Sequence, residues 1–305
     1  MKMKKLTILM IFLISGTYGI MSQEGPAADI YLLTCGPGTE TYSIYGHSAL
    51  RIVIPERNYD QVYNWGVFDF ATPNFVWKFA KGRLQYMLGV YSYDSFLREY
   101  DSEKRWVISQ KINLSVEEKQ ELFNLISVNL RPENIKYRYD FFYDNCSTRI
   151  RDLLEKASGG NLIYPDDESK KNLPTFRELI SDYQKGYPWM KFGIDLLLGA
   201  PVDKKATMRD RMFLPVGLQT GLSSLQLRHD GKMIPLLQNP EVVLKFGQQE
   251  LKEGFFESPV FIFCMVLIIS IILSAVLRDK LPARIIDIFV FSVFSLLAIM
   301  LVFFN

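Results

Sequence analysis

Histidine and charge imbalance are what this 305-residue chain has least of. Its 35 Lys and Arg stand against 33 Asp and Glu, a net charge of +2. No basic run or helical basic stripe accompanies that balance, which removes any reason to expect a nucleic-acid partner. Two histidines, His47 and His229, leave a narrow choice for any imidazole base. There is no internal repeat. Of the three cysteines, Cys264 falls inside an apolar run and reads as packing, while Cys35 and Cys146 lie where export would permit a disulfide. A Cys35–Cys146 bridge is therefore the competing structural reading for both. Cys35 is a poor lipid-attachment site, because Thr34 replaces the small residue such a site needs and Asp29 interrupts the apolar stretch before it.

What is there begins with 49% hydrophobic residues against 22% charged, enough for one or two domains with a real core. Lys2, Lys4 and Lys5 precede the apolar run Leu6 to Ile14, and small residues follow at Ser15, Gly16 and Gly19. Residues 1–19 thus read as an export signal, shorter than the ~20 apolar residues that a span prefers. The C-terminal runs 260–277 and 285–304 are long enough to span a bilayer, with Asp287 the one charge within them. Arg278, Lys280 and Arg284 in their connection prefer the cytoplasm. The expected layout is a periplasmic domain over 24–216, a linker without readable structure over 217–258, and a transmembrane helical hairpin in the inner membrane.

Within the exported part, Asp29 to Thr34 and Ser48 to Ile54 read as strands, and Gln61 to Phe70 as the partner of the second across a polar turn. The aromatic stretch from Phe75 to Tyr93 suits either ordinary packing or a lipid surface. Trp106 to Asn113 alternates as a strand, and Ser115 to Glu118 is a capping box opening a helix to about Asn129. A second helix starts at Cys146, capped by Asp144 or Asn145 and stopped by Gly159 and Gly160. Prolines divide the region after Gly160 into short pieces, with helices expected around Thr175–Tyr183 and Phe192–Leu198.

A thiol in the first turn of a helix meets the positive end of the dipole and unpaired backbone N–H groups, which favour the thiolate. The same N–H groups can stabilise an oxyanion. Arg149 and Arg151 add positive charge nearby. His47 follows Gly46 and leads a strand of the expected core sheet, whereas His229, between Arg228 and Asp230-Gly231, reads as part of a solvated turn. His47 is thus the candidate base for Cys146. The order of histidine-led strand, further strand and cysteine-led helix is that of papain, circularly permuted.

The phrases Tyr45-Gly46-His47-Ser48-Ala49-Leu50-Arg51-Ile52, Tyr63-Asn64-Trp65-Gly66-Val67-Phe68-Asp69-Phe70, Arg131-Pro132-Glu133-Asn134 and Asp144-Asn145-Cys146-Ser147-Thr148-Arg149 closely resemble the exported domain of Lnb-type lipoprotein N-acyltransferases. Phe176-Arg177, Pro188-Trp189, Gly193 to Gly199 and Met212 to Pro215 extend the resemblance, which covers about residues 28 to 216. It implies an α+β, circularly permuted papain-like domain akin to NlpC and lecithin-retinol acyltransferase enzymes. His47 and Cys146 match the catalytic motifs. A third polar group is then expected to orient the imidazole. Pairing Ile54 with Gln61 sets His47 opposite Phe68 and puts Asn64 on the histidine's face, with Asp69 behind it as second choice. The implied reaction moves an acyl chain from a phospholipid, through a Cys146 thioester, to the α-amine of a diacylglyceryl-cysteine lipoprotein, with no cofactor and no metal. Two rivals share the residues: an NlpC-like amidase or peptidase of cell-wall peptides, and a non-catalytic membrane-bound binding protein in which Cys146 packs or pairs with Cys35.

Overall fold

The computed structural model describes residues 28–68, 73, 84–165, 172–247, 254–277 and 281–304. The expected export signal, Asp69 and the first part of the aromatic stretch lie outside them. In chain order the elements are β1 (Asp29–Cys35), β2 (His47–Ile54), β3 (Tyr59–Val67), β4 (Gln85–Ser92), α1 (Tyr93–Ser102), β5 (Val107–Lys111), α2 (Val116–Asn129), β6 (Lys136–Arg138), α3 (Cys146–Ala157), β7 (Leu162–Ile163), α4 (Phe176–Ser181), α5 (Pro188–Leu198), α6 (Met208–Arg211), α7 (Pro215–Ser224), β8 (Gln226–His229), β9 (Lys232–Pro235), β10 (Glu241–Leu244), α8 (Pro259–Val276) and α9 (Leu281–Phe304).

The architecture is α+β. A seven-stranded antiparallel sheet runs in the order β10-β5-β1-β2-β3-β4-β6, and β7, β8 and β9 form a smaller one. Strand alternation sorts the side chains onto two faces. Ile30 and Leu32 of β1, Leu50 and Ile52 of β2 and Tyr63 and Trp65 of β3 point to one core, where they meet Leu122 and Ile126 of α2, Ile150 and Leu154 of α3 and Leu218 and Leu222 of α7. Leu33, Cys35, Ala49 and Val62 point the other way, against Phe96 and Tyr100 of α1. Each leucine, isoleucine, valine or phenylalanine among them contributes about 1.5–3 kcal/mol when fully buried. Trp65, with no exposed surface, keeps its indole donor satisfied on Asn129 Oδ1 at 2.7 Å.

The β2–β3 connection is tighter than the sequence predicts. Pro55–Arg57 form a 3-10 turn closed by Asn58 at φ 49°, so Ile54 pairs with Tyr59 and not with Gln61. Continuing that register sets His47 opposite Gly66 in place of Phe68. The displacement is two residues, an even number, so every side chain of β3 stays on its predicted face.

The stretch expected as a linker is largely structure. β8 and β9 form a hairpin turned by Asp230 and Gly231, at φ 50° and 76°. Leu225, Leu227, Leu236 and Leu237 of this stretch join the main core, and β10 adds an edge to the main sheet on β5. Beyond it, α8 is long and apolar enough to cross a membrane, and its side chains are almost all exposed. α9, where the sequence predicts a second span, carries an apolar stretch over Asp287–Leu296.

Candidate active site

The start of α3 is built by Asn145. Its Oδ1 accepts from the backbone N–H groups of Ser147 and Thr148 at 2.8 and 2.9 Å, and Thr148 Oγ1 accepts in return from the Asn145 N–H. Its Nδ2 donates to the carbonyls of Phe141 and Phe213 at 2.7 and 2.9 Å. With 2% of its surface exposed, Asn145 thus has every polar atom satisfied. The consequence is that Cys146 is held at the first helical position, and the N–H groups one and two residues on are already committed. Fewer helical N–H donors are therefore open to an oxyanion than the sequence suggests.

Neither arginine of α3 serves the thiol. Arg149 makes a two-point ion pair with Asp144 at 2.6 and 2.8 Å and lies over the Tyr137 ring at 3.6 Å. Arg151 is buried between Asp152 and the Arg209 carbonyl.

His47 comes from the other side. Gly46 stands at φ 80°, and a Cβ there would lie 2.7 Å from the Cys35 carbonyl oxygen, so only glycine lets β2 begin at this place. Ser48 Oγ meets Ser147 Oγ at 3.1 Å, pinning the start of β2 to the start of α3. Gly66, at φ 98° in the bulge of β3, borders both functional groups: a Cβ there would stand 3.8 Å from His47 Cε1 and 3.9 Å from Cys146 Cβ.

Asn64 lies where the strand parity predicts. His47 Nε2 is 2.6 Å from Asn64 Oδ1. An amide oxygen can only accept, so Nε2 carries the proton and the ring's other nitrogen, Nδ1, is left for the thiol. Burial alone would push the His47 pKa down, but the Cys146 charge and the hydrogen bonds His47 donates to Cys146 and Asn64 outweigh it, and the net direction is up. Burial alone would likewise raise Cys146, yet the His47 charge, its hydrogen bond, the Ser48 N–H and the Ser147 hydroxyl bring it below the ordinary thiol value. The two shifts favour a thiolate–imidazolium pair.

Cys35, paired with His47 across β1 and β2, is a different thiol. It is fully buried, and burial pushes it up to about 12. Cys35 and Cys146 are both free, so the expected rival bridge is not formed. His229 is remote from this site, at the end of β8, where its Nε2 meets Glu118 Oε2 at 2.8 Å. Reading it as part of a solvated turn fits its neighbours Asp230 and Gly231 better than the histidine.

Sequence reasoning missed α1, which carries Glu99, a carboxyl held above the usual range chiefly by burial. Its signal was the Ser92 cap on Ser95 together with Phe96 and Tyr100 at helical spacing. An aromatic wall also escaped notice: Tyr139 stacks on Tyr86 at 4.2 Å, and Phe68 lies 5.0 Å from Tyr86. The Tyr137 and Tyr139 phenols, kept neutral first by burial, also sense the Cys146 charge.

Fold and site together define an α+β domain in which a helix-leading cysteine meets a strand-leading histidine backed by an asparagine. The chain belongs to the Lnb N-terminal periplasmic domain family, whose model matches residues 22–182. That span contains His47, Asn64 and Cys146. Searches of curated proteins and of solved structures return no match.

Proposed function

We propose that this protein is a lipoprotein N-acyltransferase that works through a thioester on Cys146, in a permuted papain-like domain held on the periplasmic side of the inner membrane. The observation that carries the reading is the Cys146–His47–Asn64 arrangement, with a lowered thiol and a raised imidazole, in a chain of the Lnb family.

In the first half-reaction the Cys146 thiolate attacks an ester carbonyl carbon of a phospholipid. The C–S bond forms, the ester C–O bond breaks, and the leaving alkoxide takes the proton of the His47 imidazolium to depart as a lysophospholipid alcohol. In the second, the α-amine of a diacylglyceryl-cysteine attacks the thioester carbonyl. The C–N bond forms, the C–S bond breaks, and His47 takes the amine proton, restoring the ion pair. Asn64 holds the imidazole in the tautomer the chemistry needs, and the aromatic wall offers an acyl chain an apolar neighbour. No cofactor enters this scheme. Both substrates are lipids that scarcely leave a bilayer, at about 0.8 kcal/mol for each buried CH₂, so an enzyme tethered through α8 meets them in place.

The test is mass spectrometry of a lipoprotein's N-terminal lipopeptide, from cells lacking their own N-acyltransferase and expressing either this protein or Cys146→Ala. Triacylated lipopeptide is expected with the intact cysteine alone. Diacylated lipopeptide with both, at equal membrane expression, rejects acyl transfer and favours cell-wall hydrolysis by the same pair.

A further inference from the structure

α5 is an anomaly for a helix of a water-soluble domain. Its sequence, Pro188-Trp-Met-Lys-Phe-Gly-Ile-Asp-Leu-Leu-Leu198, has two charged side chains, yet none of its residues is buried. Those charges, Lys191 and Asp195, are tied to each other at 2.7 Å, and Asp195 also pairs with Arg177 at 2.8 Å. At 3.6 residues per turn, Ile194 and Leu198 fall on one side, where they pack on the cluster of Phe176, Ile180 and Phe213. Trp189 and Phe192 fall on the opposite side and Leu197 on the flank beside Ile194; they remain 44%, 38% and 44% exposed.

What lies next to that exposed side is α8. Trp189 and Phe192 contact Phe263 of α8, with ring centroids 5.9 and 5.3 Å apart. The Trp189 indole N–H donates to the Glu257 carbonyl at 2.6 Å, two residues before α8 begins. Phe255 and Phe256, in the turn leading into α8, are still more exposed. The apolar face of α5 is thus continuous with the first turns of the helix that is long and apolar enough to cross a membrane. Tryptophan with its N–H satisfied and its ring beside a span's entrance is the chemistry of a lipid–water boundary.

We propose that α5 is an interfacial helix, lying in the headgroup–acyl boundary of the bilayer that α8 enters, with Trp189 and Phe192 in lipid. The occupant of this face is the lipid surface. The proposal takes from the preceding reading only that α8 spans; it is independent of the acyl chemistry. It also sets the height of the site. The inner side of α5 packs on the cluster that includes Tyr45 and Phe141, residues just before Gly46-His47 and the Asn145 cap. That cluster therefore links the lipid-facing helix to the segments that lead into His47 and Cys146.

The experiment is fluorescence quenching of the full chain in vesicles of phosphatidylethanolamine with a minor share of phosphatidylglycerol, comparing wild type with Trp189→Phe. The difference between the two isolates Trp189 from the other tryptophans. Phosphatidylcholine brominated near the carbonyl end of its acyl chain is expected to remove most of that difference, and aqueous iodide little of it. Phe192→Trp supplies a second reporter on the same face should Trp189→Phe fail to fold. Leu267→Trp, on the exposed surface of α8, is expected to be quenched by lipid brominated near the methyl end and reports the span separately. A quenched Leu267→Trp together with a Trp189 reached by iodide overturns the proposal while leaving the span intact. Protection of Trp189 from both quenchers overturns it equally, since a protein surface would then cover the face. If Leu267→Trp is itself unquenched, the spanning reading fails and the interfacial helix fails with it.

Discussion

Replacing Asn64 with alanine tests the site at the point where its geometry is most definite. Thiolate–imidazolium and thiol–imidazole carry the same number of protons, so near neutral pH their ratio is independent of pH and reports the local interactions directly. The 2.6 Å contact of Asn64 Oδ1 is made to His47 Nε2–H in either form. A hydrogen bond to a charged group contributes about 1.5–3 kcal/mol and one to a neutral group about 0.5–1.5. The bond therefore favours the ion pair by about 1–1.5 kcal/mol, roughly a five- to tenfold excess of thiolate. Asn64→Ala is expected to slow alkylation of Cys146 by iodoacetamide at neutral pH by at most that factor, since the rate follows the thiolate fraction and not the ratio, with the modified residue located by peptide mass spectrometry. Acyl transfer should fall further, because the ring is also released from its orientation. Asn64→Asp, which places a carboxylate against the imidazolium, is expected to hold the alkylation rate at or above wild type. Cys35 is an internal control: buried and pushed up to about 12, it should stay unlabelled until the protein is unfolded. An unchanged Cys146 rate in a folded Asn64→Ala protein would refute the assignment of Asn64 as the positioning residue.

Two further substitutions separate support from chemistry. Asn145→Ala removes a helix cap, about 0.5–2 kcal/mol, and strips two donors from the carbonyls of Phe141 and Phe213, for a total loss of about 2–5 kcal/mol in chemical denaturation. Asn145→Ser, which retains a capping oxygen but not the two donors, should recover only the cap's share. Gly46→Ala puts a Cβ 2.7 Å from a backbone oxygen and is expected to lower the unfolding midpoint more than Gly66→Ala, whose Cβ meets nothing nearer than 3.8 Å and whose cost is backbone strain of about 1–3 kcal/mol. Equal midpoints for the two would contradict the close approach at Gly46.

Much of this protein is legible where the determinants are local. The Ser115–Glu118 capping box announces α2, whose observed bounds are Val116–Asn129, and Asp144-Asn145 announces α3 with Cys146 at its head, the structure choosing Asn145 as the cap. Both follow from side chains bonding to N–H groups two or three residues away, which no distant contact needs to arrange. Alternation also carried the face of Asn64, since parity survived a register error of two residues. The register itself depended on a 3-10 turn with Asn58 in the left-handed region, a choice between near-equal local conformations that strand pairing decided.

Other features existed only in the tertiary structure. β10 pairs with β5 across more than a hundred residues, and β10, four residues long, carries too few positions for a period to show. The four buried leucines around the β8–β9 hairpin looked like linker because their partners lie on α2, α3 and the main sheet. The raised imidazole and lowered thiol are properties of contact between His47 and Cys146, which fold together from opposite ends of about a hundred residues. The sequence alone offered the two residues as a candidate pair, since a chain with two histidines and a cysteine at a helix start leaves few pairings. Their meeting, the asparagine that selects the tautomer and the thiol left inert one strand away were decided by packing, because electrostatics falls with distance and distance is set by the whole sheet.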